Sequence, residues 1–144
     1  MNVRDLLGSR KDVYSVQPDA TVHDVARYLR EKGVRAVGVV DAKGNVLGVV
    51  SQADMSDKVA AENKCPAWMR ITEIMTVNPI SVPLDTSIEE CVRLMEKNGI
   101  FHLMVHDEKD RYLGMLSVQD LLRLIVNDHK ERADLLEAMM FPQH

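Results

Sequence analysis

The feature that most constrains this chain is that it repeats itself. Shifting the sequence by 66 residues lays positions 15–55 on 81–121 without a gap, and twelve of the 41 pairs are identical. Among them are Ser15/Ser81, Val16/Val82, Asp19/Asp85, Gly33/Gly99, Gly48/Gly114, Ser51/Ser117 and Asp54/Asp120. Many other pairs exchange one apolar residue for another. A shorter match precedes them: Val3-Arg-Asp-Leu-Leu resembles Ile71-Thr-Glu-Ile-Met, with two extra residues in the first copy between Gly8 and Tyr14. A fixed offset means one structural unit used twice. A unit of about 60 residues buries too little surface to stand alone. The 144 residues therefore read as two halves sharing one core: a first repeat over 1–63, a linker over 64–70, a second repeat over 71–126 and a helical tail over 127–144.

Each copy has the order β-α-β-β-α. A short extended piece (Val13–Val16, Pro79–Val82) leads to an amphipathic helix. Its apolar residues are Val22, Val25, Ala26 and Leu29 in one copy and Ile88, Cys91, Val92 and Met95 in the other, at i, i+3, i+4 and i+7. Gly33 and Gly99 close these helices. Two strands follow, Ala36–Val40 and Val46–Val50 in the first copy, Phe101–Val105 and Tyr112–Leu116 in the second. A second helix opens at Ser51 or Ser117. The expected fold is α/β (α+β), two such repeats packed sheet against sheet with pseudo-twofold symmetry.

Composition excludes several function classes. Net charge is -4, which opposes nucleic acid or an anionic membrane as partner, since both require a concentrated basic surface. Aromatic residues are 4%, too few for a base-stacking platform. No apolar run approaches the roughly 20 residues of a membrane span. The first residues lack the apolar stretch of a secretory signal, so a cytoplasmic setting is expected. Two cysteines do not make a disulfide scaffold. No Cys-His or Ser-His-Asp arrangement is positioned for catalysis.

Four helix starts share one pattern: Thr21-Val-His-Asp24, Ser51-Gln-Ala-Asp54, Ser87-Ile-Glu-Glu90 and Ser117-Val-Gln-Asp120. For Thr21 and Ser87 this reads as the capping box, hydroxyl to amide and carboxylate back to the cap amide. Ser51 and Ser117 differ because each follows Gly-apolar-apolar, at the junction of strand and helix. Exposed amides and the positive end of the helix dipole make such a junction a natural anion site. A carboxylate one turn inside can accept from both hydroxyls of a ribose. A glycine just before lets backbone come close to a ligand. From the residues alone, cap and ligand site fit equally well.

Two β-α-β-β-α units, each ending in Gly-apolar-apolar-Ser-x-x-Asp, resemble a tandem pair of cystathionine-β-synthase (CBS) domains, a Bateman module. The resemblance covers about 3–126. Val34-Arg-Ala-Val-Gly-Val-Val-Asp41 is similar to the family's Ile-Arg-His-Leu-Pro-Val-Val-Asp segment, and Ile100-Phe-His-Leu-Met-Val-His-Asp107 is the second copy. The resemblance implies a regulatory module that requires no cofactor. It would bind AMP, ADP, ATP, NAD or S-adenosylmethionine in clefts between the repeats, sense energy or metabolite state, and act in trans on another protein. It also implies a flat homodimer without catalysis of its own. Carried over, Asp54 and Asp120 would hold ribose hydroxyls, and Ser51 and Ser117 would meet ribose or phosphate. The strands around Tyr14, Ser15 and Val16 and around Ile80, Ser81 and Val82 would offer backbone hydrogen bonds to adenine. Arg35, Ala36 and His102 lie in the segment facing the phosphates. The family's proline is Gly38 in one copy and Met104 in the other. Its Arg-His pair is split, Arg35 to the first copy and His102 to the second. The two clefts should therefore differ. A purely structural dimerisation module, whose Ser-x-x-Asp sequences only cap helices, is the alternative.

Other residues have simpler readings. His102 and His106 would stand about 13 Å apart on a strand, too far to share a metal ion. Cys91 takes the core position of Val25. Cys65 lies in the linker beside Pro66. Nine methionines read as adaptable core. Trp68 is expected to plug the linker onto the module, with a role at an interface as the alternative. Ala133, Leu136 and Met140 suggest a separate helix over Lys130–Met140 that packs on a partner subunit.

Overall fold

In the computed structural model, which describes residues 1–8 and 12–140, the hydroxyls of Thr21 and Ser87 cap helices as expected. Thr21 accepts from the Asp24 amide at 3.1 Å and Ser87 from the Glu90 amide at 3.1 Å. They open α2 (Val22–Lys32) and α4 (Ile88–Asn98), which Gly33 and Gly99 close in the left-handed conformation. Val22, Val25 and Leu29 are buried on α2, and Ile88, Cys91 and Met95 on α4. Val92, expected in the same buried stripe, is instead exposed. The two added residues expected between Gly8 and Tyr14 fall partly on positions outside the described ones.

Each repeat builds a three-stranded sheet. In the first, β1 (Ser15–Val16) runs parallel to β2 (Ala36–Val40), which pairs antiparallel with β3 (Val46–Ser51). In the second, β4 (Ser81–Pro83), β5 (His102–His106) and β6 (Tyr112–Ser117) take the same order and directions. The duplication extends to irregularities: both hairpins slip register near the turn, at Val39/Val40 and Val105/His106. Asp41 and Asp107 tie those turns by accepting from the amides of residues two and four ahead.

The halves do not share one core. Among the described residues there are two apolar clusters, and each borrows from the other repeat. The opening helix α1 (Val3–Leu7) lies on the second repeat: the Val3 amide donates to the Thr86 carbonyl and Val3 is buried among Val82, Cys91 and Leu103. The corresponding segment of the second copy, a 3₁₀ turn at Ile71–Glu73, lies on the first: the Ile71 amide donates to the Ala20 carbonyl, and Met69, Ile71 and Ile74 join Val22, Val25 and Leu29. Bridges Asn2↔Ser87 and Thr21↔Arg70 make the exchange symmetric. This reciprocity is the physical reason neither repeat is complete alone.

The second helices are unequal. The first copy has only α3 (Gln52–Met55) followed by a π-helical turn, Ser56–Ala60. The second has α5, one unbroken helix over Val118–Met140. The separate tail helix expected over Lys130–Met140 is therefore a continuation of α5. The side chains of Leu136 and Met140 lie outside the described ones. Trp68 is 87% exposed and plugs nothing; its neighbour Met69 fills the core instead.

Candidate functional site

Both Ser-x-x-Asp junctions are capping boxes in geometry. The Asp54 carboxylate accepts from the Ser51 amide at 2.9 Å and the Ser51 hydroxyl at 3.3 Å. The Asp120 carboxylate accepts from the Ser117 amide at 2.8 Å and hydroxyl at 2.8 Å. The copies then diverge. Lys58 pairs with Asp54 at 3.0 Å and donates to the Ile74 carbonyl at 2.9 Å, whereas the matching residue on α5 is Leu124. A four-residue α3 also carries little dipole compared with α5, whose aligned peptides favour an anion at Ser117.

The register brings the proposed phosphate-facing residues beside these junctions. Ala36 lies opposite Ser51, and His102 opposite Ser117. His102 is half-buried, and burial holds its imidazole below the ordinary histidine pKa. The Asp120 carboxylate opposes that shift and the Arg35 guanidinium adds to it. Thus the ring lies within electrostatic reach of Asp120 in its own repeat and of Arg35 in the other. Arg35, split from His102 by the sequence, thus acts on it electrostatically from the other repeat.

The edge strands also differ. In the second repeat the Met104 amide donates directly to the Ile80 carbonyl at 3.1 Å. In the first, a phenol stands between the equivalent groups. The Gly38 amide donates to Tyr112 Oη at 3.2 Å, and Tyr112 Oη donates to the Tyr14 carbonyl at 2.9 Å. Ser15 and Val16 then pair with Gly38 and Val39. In β4 the Ser81 hydroxyl is hydrogen-bonded to His106 Nδ1, and Val82 turns its side chain into the core, so its backbone is what it can present. Gly48 does admit a close backbone, but of its own chain: a Cβ there would meet the Thr76 carbonyl at 2.7 Å. At Gly114 the same space is open.

Tyr112 and Lys58 contact candidate site residues, and the sequence pattern does not single them out. Both are places where the repeat breaks, facing Val46 and Leu124 in the other copy. The mismatches between the copies, read as closely as the matches, are the signal that marks them. Among the described residues no group of three His, Cys, Asp or Glu is arranged to hold a metal. Likewise, no helix is long and apolar enough to cross a membrane.

A model of the CBS domain matches residues 3–61 and 71–127. The chain belongs to the CBS-domain family. A protein with CBS domains from Burkholderia ambifaria superposes with a TM-score of 0.83 at 29% identity, covering 89% of this chain and 96% of that one. The CBS domain pair of protein MJ0100, crystallised with 5′-methylthioadenosine and S-adenosyl-L-methionine, superposes with a TM-score of 0.80 at 26% identity, covering 89% and 98%. An uncharacterised protein of Methanopyrus kandleri is 30% identical over 116 residues, 81% of this chain. The chain spans 59% of that relative's length and 24% and 37% of two others. The CBS pair is thus a module that relatives carry within longer chains.

Proposed function

We propose that this CBS pair is a regulatory module that binds an adenosine-containing small molecule at the seam of its repeats and signals to a protein partner. The observation that carries the reading is the Ser117–Asp120 junction at the start of α5, with His102 opposite Ser117 on the neighbouring strand and within the electrostatic influence of Arg35. Helix amides and the Arg35 guanidinium suit an anionic phosphate better than a cationic sulfonium, so phosphorylated ligands such as AMP, ATP or NAD rank first. The MJ0100 pair, crystallised with two adenosine compounds, supports the nucleoside part. Asp54 and Asp120 are assigned to ribose, and the backbones of Tyr14–Val16 and Ile80–Val82 to the base. Ligand held at the seam biases the angle between repeats, and a partner reads that angle.

The module acts without catalysis and as a homodimer. A groove of about 360 Å³ lined by Val92, Met95, Ile100, Phe101, Val118 and Leu121 supports the dimer. So do Leu122 and Val126, exposed beside it on α5; an apolar face of this kind marks an interface. The structural-dimer alternative is favoured by one fact: Asp54 and Asp120 already satisfy their caps.

Thermal unfolding with AMP, ADP, ATP, NAD and S-adenosylmethionine discriminates the two. Ligand at about 100 times its Kd adds roughly 2.7 kcal/mol, and Asp54→Ala and Asp120→Ala should each weaken a different site. A panel that leaves the melting temperature unmoved refutes ligand binding. Native mass spectrometry reports subunit number in the same samples, and a monomer refutes the dimer.

A further inference from the structure

The edge ladder of the first repeat lacks one backbone hydrogen bond that the second repeat makes. Ser15 pairs with Gly38 in the same parallel register as Ser81 with Met104. In the second repeat the Met104 amide donates to the Ile80 carbonyl at 3.1 Å. In the first, the matching Gly38 amide and Tyr14 carbonyl are held apart by a side chain of the other repeat. Tyr112 Oη, at the start of β6, accepts from that amide at 3.2 Å and donates to that carbonyl at 2.9 Å. Its ring lies on Gly38, where a Cβ would meet two ring carbons at 3.0 Å. Gly38 stands where the second repeat has Met104, and Tyr112 where the first has Val46.

Two arrangements therefore satisfy the Gly38 amide and the Tyr14 carbonyl. With the phenol seated, they bond through it. With the phenol withdrawn, they bond each other, as Met104 and Ile80 do, and the hydroxyl passes to water. Neither arrangement leaves a backbone group unpaired, which is the usual cost of opening such a seam. On the β2 side the ladder is fixed, since Val37 and Val39 are fully buried in the core. On the other side β1 can step: it is an edge strand of two residues, with Ser15 exposed and Val13 before it 55% exposed. Tyr14 also packs edge-on against Tyr28 of α2, ring centroids 6.3 Å apart, so a step of β1 reaches that helix. Withdrawal gives up the ring's contact with Gly38, which makes the seated arrangement the predominant one.

We propose that Tyr112 is a two-position latch at the seam. Seated, it ties β6 to the first sheet and holds the β1–β2 ladder one bond open; withdrawn, it releases the seam and the ladder closes by a direct bond from Gly38 to Tyr14. The angle between the repeats and the position of β1 are thereby coupled. The latch needs no ligand, so it goes beyond the adenosine reading and stands or falls apart from it.

Nuclear magnetic resonance on the full chain, without ligand, tests this. The readout is the scalar coupling across a hydrogen bond from the Gly38 nitrogen to the Tyr14 carbonyl carbon. The Met104–Ile80 coupling is the internal reference for an intact fold. Tyr112→Val, which places the first repeat's residue on β6, should make the direct Gly38–Tyr14 coupling appear. Tyr112→Phe keeps the ring and removes both bridging bonds. It should raise the withdrawn population at least about 10-fold, the worth of one net hydrogen bond. In the native chain, saturation transfer at the Gly38 amide should reveal a minor state of about 1%, at the shift seen in Tyr112→Val. Three results each overturn the latch: a Tyr112→Val chain that keeps the reference coupling without gaining the Gly38–Tyr14 one, a Tyr112→Phe chain with no rise in the minor state, or a native Gly38 amide with no minor state. Should one variant fail to fold, the other and the native chain decide; should both fail, the native Gly38 amide decides alone.

Discussion

Lys58 holds Asp54 through a 3.0 Å ion pair one turn along the chain, while its second hydrogen bond fastens it to the Ile74 carbonyl. The pair closes the short second helix of the first repeat onto the segment that repeat borrows from its neighbour. Lys58 is about half exposed, 46%, against 14% for Asp54, so solvent screens the charge and most of the tie is the carbonyl contact. Lys58→Met should cost about 0.5–1 kcal/mol in urea unfolding, with a loss that shrinks only partly in high salt. A loss that vanishes in salt would make the contact purely electrostatic.

Gly48 is where the borrowed segment presses hardest. The Val49 amide and the Thr76 amide each donate to the other's carbonyl, at 3.0 and 2.8 Å. An added methyl at Gly48 meets that backbone at 2.7 Å, and backbone cannot rotate away. Gly48→Ala should cost about 1–3 kcal/mol and speed hydrogen exchange at Val49 and Thr76. Unchanged exchange at both amides would contradict the assigned contact.

Gly38 and Tyr112 should be energetically coupled. Gly38→Ala crowds the ring and should cost about 1–3 kcal/mol in the native background. In a Tyr112→Val background the same change should cost less by at least about 0.5 kcal/mol, the scale of coupling between touching residues. Additive losses in that double-mutant cycle would mean the ring accommodates the methyl freely.

His102 gives the stability a pH dependence of known sign. Burial lowers its folded-state pKa below the ordinary value of 6.5. As pH falls through that value, the unfolded chain takes up the proton first, so the folded state loses stability down to the lowered folded pKa. Urea midpoints should drop as pH falls below about 6.5, and His102→Gln should flatten that part of the curve. An unchanged slope would assign the dependence to other groups.

Much of this molecule is legible in its repeat. The 66-residue offset and the helix-start pattern anticipate the strands of both sheets and the helices α2 and α4. These follow from local periodicity and capping, which depend on near neighbours in sequence. What stays hidden depends on the other half of the chain. Nothing local announces that Val3 is buried in the second repeat and Ile71 in the first. The same is true of Tyr112, which meets Tyr14 from 98 positions away. Val92 misleads because its spacing fits the buried stripe, yet the neighbouring elements leave it uncovered. Trp68 misleads because size suggests burial, whereas the linker turns Met69 inward.

The unbroken helix α5 converts angle into distance. At 1.5 Å per residue its 23 residues reach about 35 Å from the Ser117 junction. A pivot of about 5° at that junction would carry the far end sideways by about 3 Å. That is the width of an atom at one end and the difference between docking and clashing at the other.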